Sequence, residues 1–292
     1  MVNFQERVLH YPEYCRQFTC SKSLITIFSC PPEARLMKNK FSDLWSHENY
    51  IFYVLEGKKI WHTAAKSYEI SAGQCVLVRK GACILEQFFD IGFCLVLFFI
   101  PDEFICDTLR SRTAPFVRTD QQYAPVIPLE STPTLQSFFG SMYTYFSGTT
   151  TPDKALLELK FRELILNISD NNNNAEALSY FSSLMCEPAG VSLERVMNDN
   201  FCFNLSLAQY ALLSNRSLST FKRDFQKHFG NTPGKWLMEK RLQHARFLLT
   251  RRQKSVSDAA FESGFENLSH FSRAFKERFN IPPVTAKQSA GG

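Results

Sequence analysis

The stretch SVSDAAFESGFENLSHFSRAFKERF, residues 255–279, occurs a second time in diverged form as SLAQYALLSNRSLSTFKRDFQKHF, residues 206–229. A shift of 50 residues matches Phe221 with Phe271, Arg223 with Arg273, Phe225 with Phe275, Phe229 with Phe279 and Pro233 with Pro283. Nearer the start of each copy the shift is 49, pairing Ser206 with Ser255, Ala211 with Ala260 and Asn215 with Gly264. One structural unit is therefore present twice, with one residue added in a turn.

Each copy opens on a serine placed to cap a short helix, Ser206 in the first and Ser255 or Ser257 in the second. A small Ala in the middle of that helix allows a close crossing, and Asn215 and Gly264 are stops that tolerate left-handed backbone. Second helices are predicted over 218–228 and 268–278, where Phe at i and i+4 marks a buried stripe. Two helices joined by a tight turn are the helix-turn-helix pattern.

At about 100° per residue, the face opposite Phe221 and Phe225 presents Ser219, Arg223 and Gln226, flanked by Lys222 and Thr220. The same geometry in the second copy presents Ser269, Arg273 and Lys276, flanked by Ser272 and His270. Arg reaches guanine O6 and N7 with a bidentate fork and Ser bonds to several bases, so both helices are candidate major-groove readers. A merely solvated face is the alternative for either helix alone; recurrence at equivalent positions favours DNA. Between the copies, Pro233 to Thr250 carries Trp236, Leu237, Leu242, Ala245, Leu248 and Leu249 at helical spacing. A helix of that length spans roughly 27 Å and could hold two readers near the ~34 Å between successive major grooves. Lys240, Arg241 and Arg246 on this helix, with Ser206 and Ser257 at the openings of the two first helices, are candidates for backbone phosphates.

Charge is placed accordingly. Residues 190–292 hold 16 Lys and Arg against 8 Asp and Glu, a net +8, while residues 1–189 hold 17 against 20, a net −3. The last third is where a polyanion would dock.

The 255–279 stretch resembles the signature of the AraC/XylS transcription regulators, and the likeness covers about residues 190–288. The resemblance implies a seven-helix DNA-binding domain that contacts adjacent major grooves of promoter DNA and recruits or assists RNA polymerase. Carried over by position, Ser219, Lys222 and Arg223 in the first reader and Leu268, Ser269, Ser272 and Arg273 in the second fall where the family contacts bases. Three departures stand out. Arg216 replaces an apolar residue after the turn, Asn215 replaces Gly, and Pro282 to Lys287 lacks an aromatic–Arg pair.

Upstream, residues 20–106 alternate β-rich runs with turns: 24–30, 50–55, 59–63, 67–70, 75–79, 82–88 and 93–100. Many short strands without long helices predict a sandwich or small barrel. The turns at Glu56-Gly57, Gly73-Gln74 and Lys80-Gly81 resemble those of a cupin-like jelly roll, the usual effector domain of the family. The expected organisation is α+β and multidomain: a cupin-like sensing and dimerisation domain over 1–185 (barrel about 20–106, helices about 134–185), a linker at 186–190 and an all-α DNA-binding domain over 191–292. Helices are predicted over 134–146 and 152–168, the second with Leu157, Phe161, Leu164 and Ile168 in a stripe. Such a stripe packs inside a monomer or, since the resemblance implies dimerisation through these helices, pairs Leu157, Phe161 and Leu164 across a homodimer.

Other functions find less support. Only His47 and His62 lie in the stretch where metal-dependent cupins carry a His-x-His with further ligands, so no metal or cofactor is expected, and no nucleophile or phosphate-cradling motif points to an enzyme. Nine cysteines include no pair at zinc spacing and read as reduced, buried thiols. The longest apolar run, Ile91 to Ile100, is broken by Gly92 and stopped by Pro101, well short of the about 20 residues of a membrane helix. The first residues lack a secretory signal, which makes the cytoplasm the expected location. The sequence thus predicts a sequence-specific regulator, an activator in the family's usual manner, whose first domain receives an effector. One alternative is control of that domain by a partner protein, since Val76-Leu77-Val78-Arg79-Lys80-Gly81 resembles AraC-like activators governed so. The other is a cupin enzyme fused to a DNA-binding tail.

Overall fold

The computed structural model describes residues 1–10, 15–21, 24–29, 39–88, 92–113, 122–186 and 192–288. The chain divides into two compact units, Met1–Ala189 and Gly190–Gly292. The expected linker falls, from residue 187 on, outside the described residues, and Cys186 ends a helix.

In the first unit the chain runs β1 (Val2–Asn3), α1 (Phe4–Leu9), β2 (Cys15–Thr19), β3 (Ile25–Ser29), β4 (Phe41–Ser46), β5 (Asn49–Glu56), β6 (Lys58–His62), β7 (Ser67–Ser71), β8 (Cys75–Val78), β9 (Gly81–Gln87) and β10 (Cys94–Ile100). There follow α2 (Asp102–Arg110), β11 (Val126–Leu129), α3 (Pro133–Ser147), α4 (Lys154–Ser169) and α5 (Ala175–Cys186). The strands form a five-stranded sheet, ordered β1-β4-β9-β6-β7, and a six-stranded sheet, ordered β11-β8-β5-β10-β3-β2. The sheets extend beyond the expected 20–106. Among the strands that patterning missed, β4 (FSDLWS) mixes polar and apolar residues and β11 carries Pro128, which an edge strand tolerates.

Every residue of β10 is buried, because its two faces serve two cores. Leu95, Leu97 and Phe99 point between the sheets, joining Phe52, Trp61, Ile70 and Leu85. Val96, Phe98 and Ile100 point the other way, onto helices α2 to α5. Helix α1 closes on the first core through Phe4, whose ring meets Tyr50 and Phe99 edge-on at 5.2 and 5.6 Å. At the β5–β6 turn Gly57 has φ +78°, and a Cβ there would lie 1.9 Å from the Gly92 carbonyl oxygen, so no other residue fits.

Two expectations are corrected here. Leu157, Phe161 and Leu164 do not form a subunit interface: they are at most 1% exposed, inside the core between the six-stranded sheet and the helices, with Phe161 edge-on to Phe98 at 5.1 Å. A sheet buried on both faces needs a helical cover, and the inner stripe of α4 supplies it. The outer side of α4 carries the exposed Leu159 instead. Cysteines 15, 20, 75, 83, 106 and 202 are reduced thiols as expected, but Cys94 is disulfide-bonded. No helix of the described residues is long and apolar enough to cross a membrane.

The second unit is helical: α6 (Leu193–Asn200), α7 (Leu207–Leu213), α8 (Leu218–Phe229), α9 (Pro233–Arg251), α10 (Val256–Glu262), α11 (Leu268–Phe279) and α12 (Pro283–Gln288). Around the second copy Leu242, Ala245 and Leu249 of α9 pack with Ala259, Ala260, Phe271 and Phe275.

Candidate nucleic-acid interface

The duplication is repeated bond for bond. Ser206 and Ser255 cap α7 and α10, each hydroxyl accepting from the backbone N–H three residues on. In the first turn Asn215 stands at φ 54° and the Arg216 N–H donates to the Ala211 carbonyl at 2.9 Å; in the second Gly264 stands at φ 85° and the Phe265 N–H donates to Ala260 at 3.0 Å. These left-handed stops redirect the chain into α8 and α11, capped by Ser217 and Asn267. The added residue lies between Gly264 and Asn267. Both second helices then end left-handed, at Gly230 and Asn280, and Pro233 and Pro283 start the helices that follow.

Where the second copy buries Phe265 against Phe271 at 5.0 Å, the first places Arg216, half-buried, with Nε donating to Asp224 at 3.3 Å and Nη1 to the Ser214 carbonyl at 2.7 Å. The departure from an apolar residue is thus compensated by an ion pair, and Ala274 occupies the position equivalent to Asp224.

Phe221, Phe225, Phe271 and Phe275 are fully buried, which fixes the outward faces of α8 and α11. Ser219, Lys222 and Arg223 are exposed on α8; Leu268, Ser269 and Arg273 are exposed on α11, with Ser272 half-buried. The Arg223 guanidinium leans on Asp224 at 3.3 Å while 76% exposed, whereas Arg273 bonds to nothing among the described residues. One residue escaped the sequence reading: Leu218 is 40% exposed at the first position of α8, and Leu268, its equivalent by the 50-residue shift, is 41% exposed on α11. That shift was the signal that could have found it. Beside α11 a cleft of about 510 Å³ is lined by Asn204, Met238, Arg241, Glu266, His270 and Arg273, among others.

Helix α9, 19 residues long, rises about 28 Å. Arg246 is exposed, its guanidinium 4.9 Å above the Phe279 ring, and Lys240 is half-buried with its amine 5.6 Å from the Trp236 ring. Arg241, expected on phosphate, is turned onto the protein's own backbone. Its Nε donates to the Phe201 carbonyl at 2.7 Å, Nη2 to Phe203 at 2.9 Å and Nη1 to Gly264 at 3.0 Å, so three of its five N–H donors are engaged there. Ser257, the second residue of α10, is half-buried, and the cap is Ser255.

In the first unit a buried polar hub joins sheet to helices. Asn49, wholly buried, donates to Asp102 Oδ1 at 2.7 Å and accepts from the Lys80 backbone N–H at 3.1 Å and the Tyr180 hydroxyl at 2.6 Å. Lys80 Nζ also pairs with Asp102, and the Arg79 guanidinium lies 4.8 and 5.2 Å from the Tyr123 and Tyr180 rings. Glu48 sits beside this hub. Its carboxyl is pushed up to about 7, first by burial and then by Asp102, against the opposing pull of Lys80. Among the described residues no three His, Cys, Asp or Glu side chains cluster as a metal site would require.

The chain matches the ExsA N-terminal regulatory domain over residues 49–180 and a helix-turn-helix domain over 208–289. It is 24% identical over 240 residues to the virulence regulon transcriptional activator VirF of Yersinia enterocolitica, covering 81% of this chain and 88% of VirF. It is 22% identical over 246 residues to the transcriptional regulator ExsA of Pseudomonas aeruginosa, covering 82% and 86%, and 27% identical over 286 residues to the activator RhaS of Salmonella agona, covering 96% and 97%. A duplicated helix-turn-helix with cationic outward faces, preceded by a regulatory β domain, defines a DNA-binding transcription regulator. The chain belongs to the AraC/XylS family of such regulators.

Proposed function

We propose that this protein is an activator that sets α8 into one major groove of promoter DNA and α11 into the next. Ser219, Lys222 and Arg223 read bases in the first groove, and Leu268, Ser269, Ser272 and Arg273 read them in the second, with Lys240, Arg246, Ser206 and Ser257 on phosphates. The observation that carries this is the recurrence of the same exposed cationic and hydroxyl-bearing face at equivalent positions of two copies. Activation with RNA polymerase is supported by relatives named activators.

The first unit is the receiver of the signal, supported by its likeness to a regulatory domain. It works as a binding module rather than an enzyme, and the protein acts in the cytoplasm. A homodimer joined through α4 would use its outer side, where Leu159 is exposed, since the inner stripe is occupied.

Selection of binding sites from a random DNA pool, followed by titration of Arg273→Ala, tests the central claim. The variant should lose about 1 to 3 kcal/mol on the selected site and relax base preference at one position. Equal loss on every DNA sequence would refute base reading by α11.

A further inference from the structure

Two readers joined by one helix can behave as beads that pivot or as a rigid pair, and the contacts around Arg241 decide between these. Two of the three carbonyls that Arg241 holds, Phe201 and Phe203, lie on the segment that leads into the first reader's unit; the third, Gly264, lies in the turn of the second. A guanidinium never loses its proton and its donors are fixed in one plane, so a single side chain sets the positions of all three acceptors. The backbones it joins are in contact. At Gly264, with φ +85°, a Cβ would lie 2.5 Å from the Cys202 carbonyl oxygen and 3.1 Å from Arg241 Nε. On the exposed side of this junction Asn204 Nδ2 donates to Glu266 Oε1 at 2.9 Å, and further along Arg278 holds Glu239 with bonds of 2.6 and 2.7 Å that tie α11 to α9.

We propose that Arg241 is a positioning residue that locks the two readers at one separation, so that the protein selects DNA by the spacing of two subsites as well as by their bases. This rests on the DNA-binding function proposed above. Inserting one base pair between the subsites turns the second by roughly 35° about the duplex axis. A rigid pair cannot follow, and one reader loses its contacts.

The test uses the full chain on DNA selected from a random pool, compared with the same DNA carrying one base pair inserted or deleted between the subsites. The wild type should lose roughly 30-fold or more on the altered spacing, the worth of about one or two mismatched base pairs. Arg241→Met should bind the selected site less well but lose severalfold less on the altered spacing. Glu266→Ala, at an exposed position of the same junction, should shift the ratio in the same direction while leaving the fold intact. A wild type indifferent to spacing, or variants whose spacing penalty equals that of the wild type, would overturn the proposal. If Arg241→Met gives no cooperative melt, the Glu266→Ala ratio decides. A pool that yields no enriched sequence would sink the DNA-binding function instead, a distinguishable failure.

Discussion

Single side chains divide the second unit's surface into groups that touch DNA differently. Arg246 is exposed and stacks on Phe279, aimed by that ring but bonded to no acceptor among the described residues. Arg246→Ala should weaken binding to all sequences alike and lower the slope of log affinity against log salt by about one unit, measured by titration at several salt concentrations. An unchanged slope would remove it from the phosphate contacts. In the first unit Glu48 supplies a pH dependence. Its folded carboxyl titrates near 7 rather than 4.5, so between those values the folded state binds more protons than the unfolded. Stability from this group is therefore full below pH 4.5 and declines as pH rises through about 7. Glu48→Gln should flatten that decline, read as the denaturation midpoint of the first unit between pH 5 and about 8.

At the scale of elements, helix α4 shows how one stripe can be assigned to the wrong surface. Its inner residues Leu157, Phe161 and Leu164 form the helical cover of a sheet already occupied on its other face by the inter-sheet core. Leu164→Asp should therefore unfold the first unit, at a cost of at least about 3 kcal/mol, rather than release folded monomers. Leu159→Asp, at a position 62% exposed, should change stability by no more than about 0.5 kcal/mol. Circular dichroism melts of the two variants separate the cases, and a folded Leu164→Asp would contradict the core assignment. The turns of the two copies make a related point: Phe265 in one and the Arg216–Asp224 pair in the other fill the same place.

For the whole molecule, the two units have opposite charge and separate cores, and the second is held together by contacts within itself, Arg241 foremost. The fragment 186–292 should accordingly melt cooperatively and bind DNA with the salt dependence of the intact chain. A fragment without a cooperative transition would show that residues before 186 complete its core.

Much of this was legible in the chain alone. A repeat at 49 and 50 residues, caps at Ser206 and Ser255, stops at Asn215 and Gly264 and Phe pairs four apart specify local geometry, and local geometry follows from backbone preference and helical period. The outward faces of α8 and α11 follow too, since a buried Phe stripe dictates what stands opposite it. Arg241 and Leu164 were not legible in this way. A cationic residue on a helix reads as a surface charge until three carbonyls distant in sequence are brought around it, and an apolar stripe reads the same whether a sheet or a second subunit covers it. Only the tertiary structure decides those, because burial is a property of what packs against a residue and not of the residue itself.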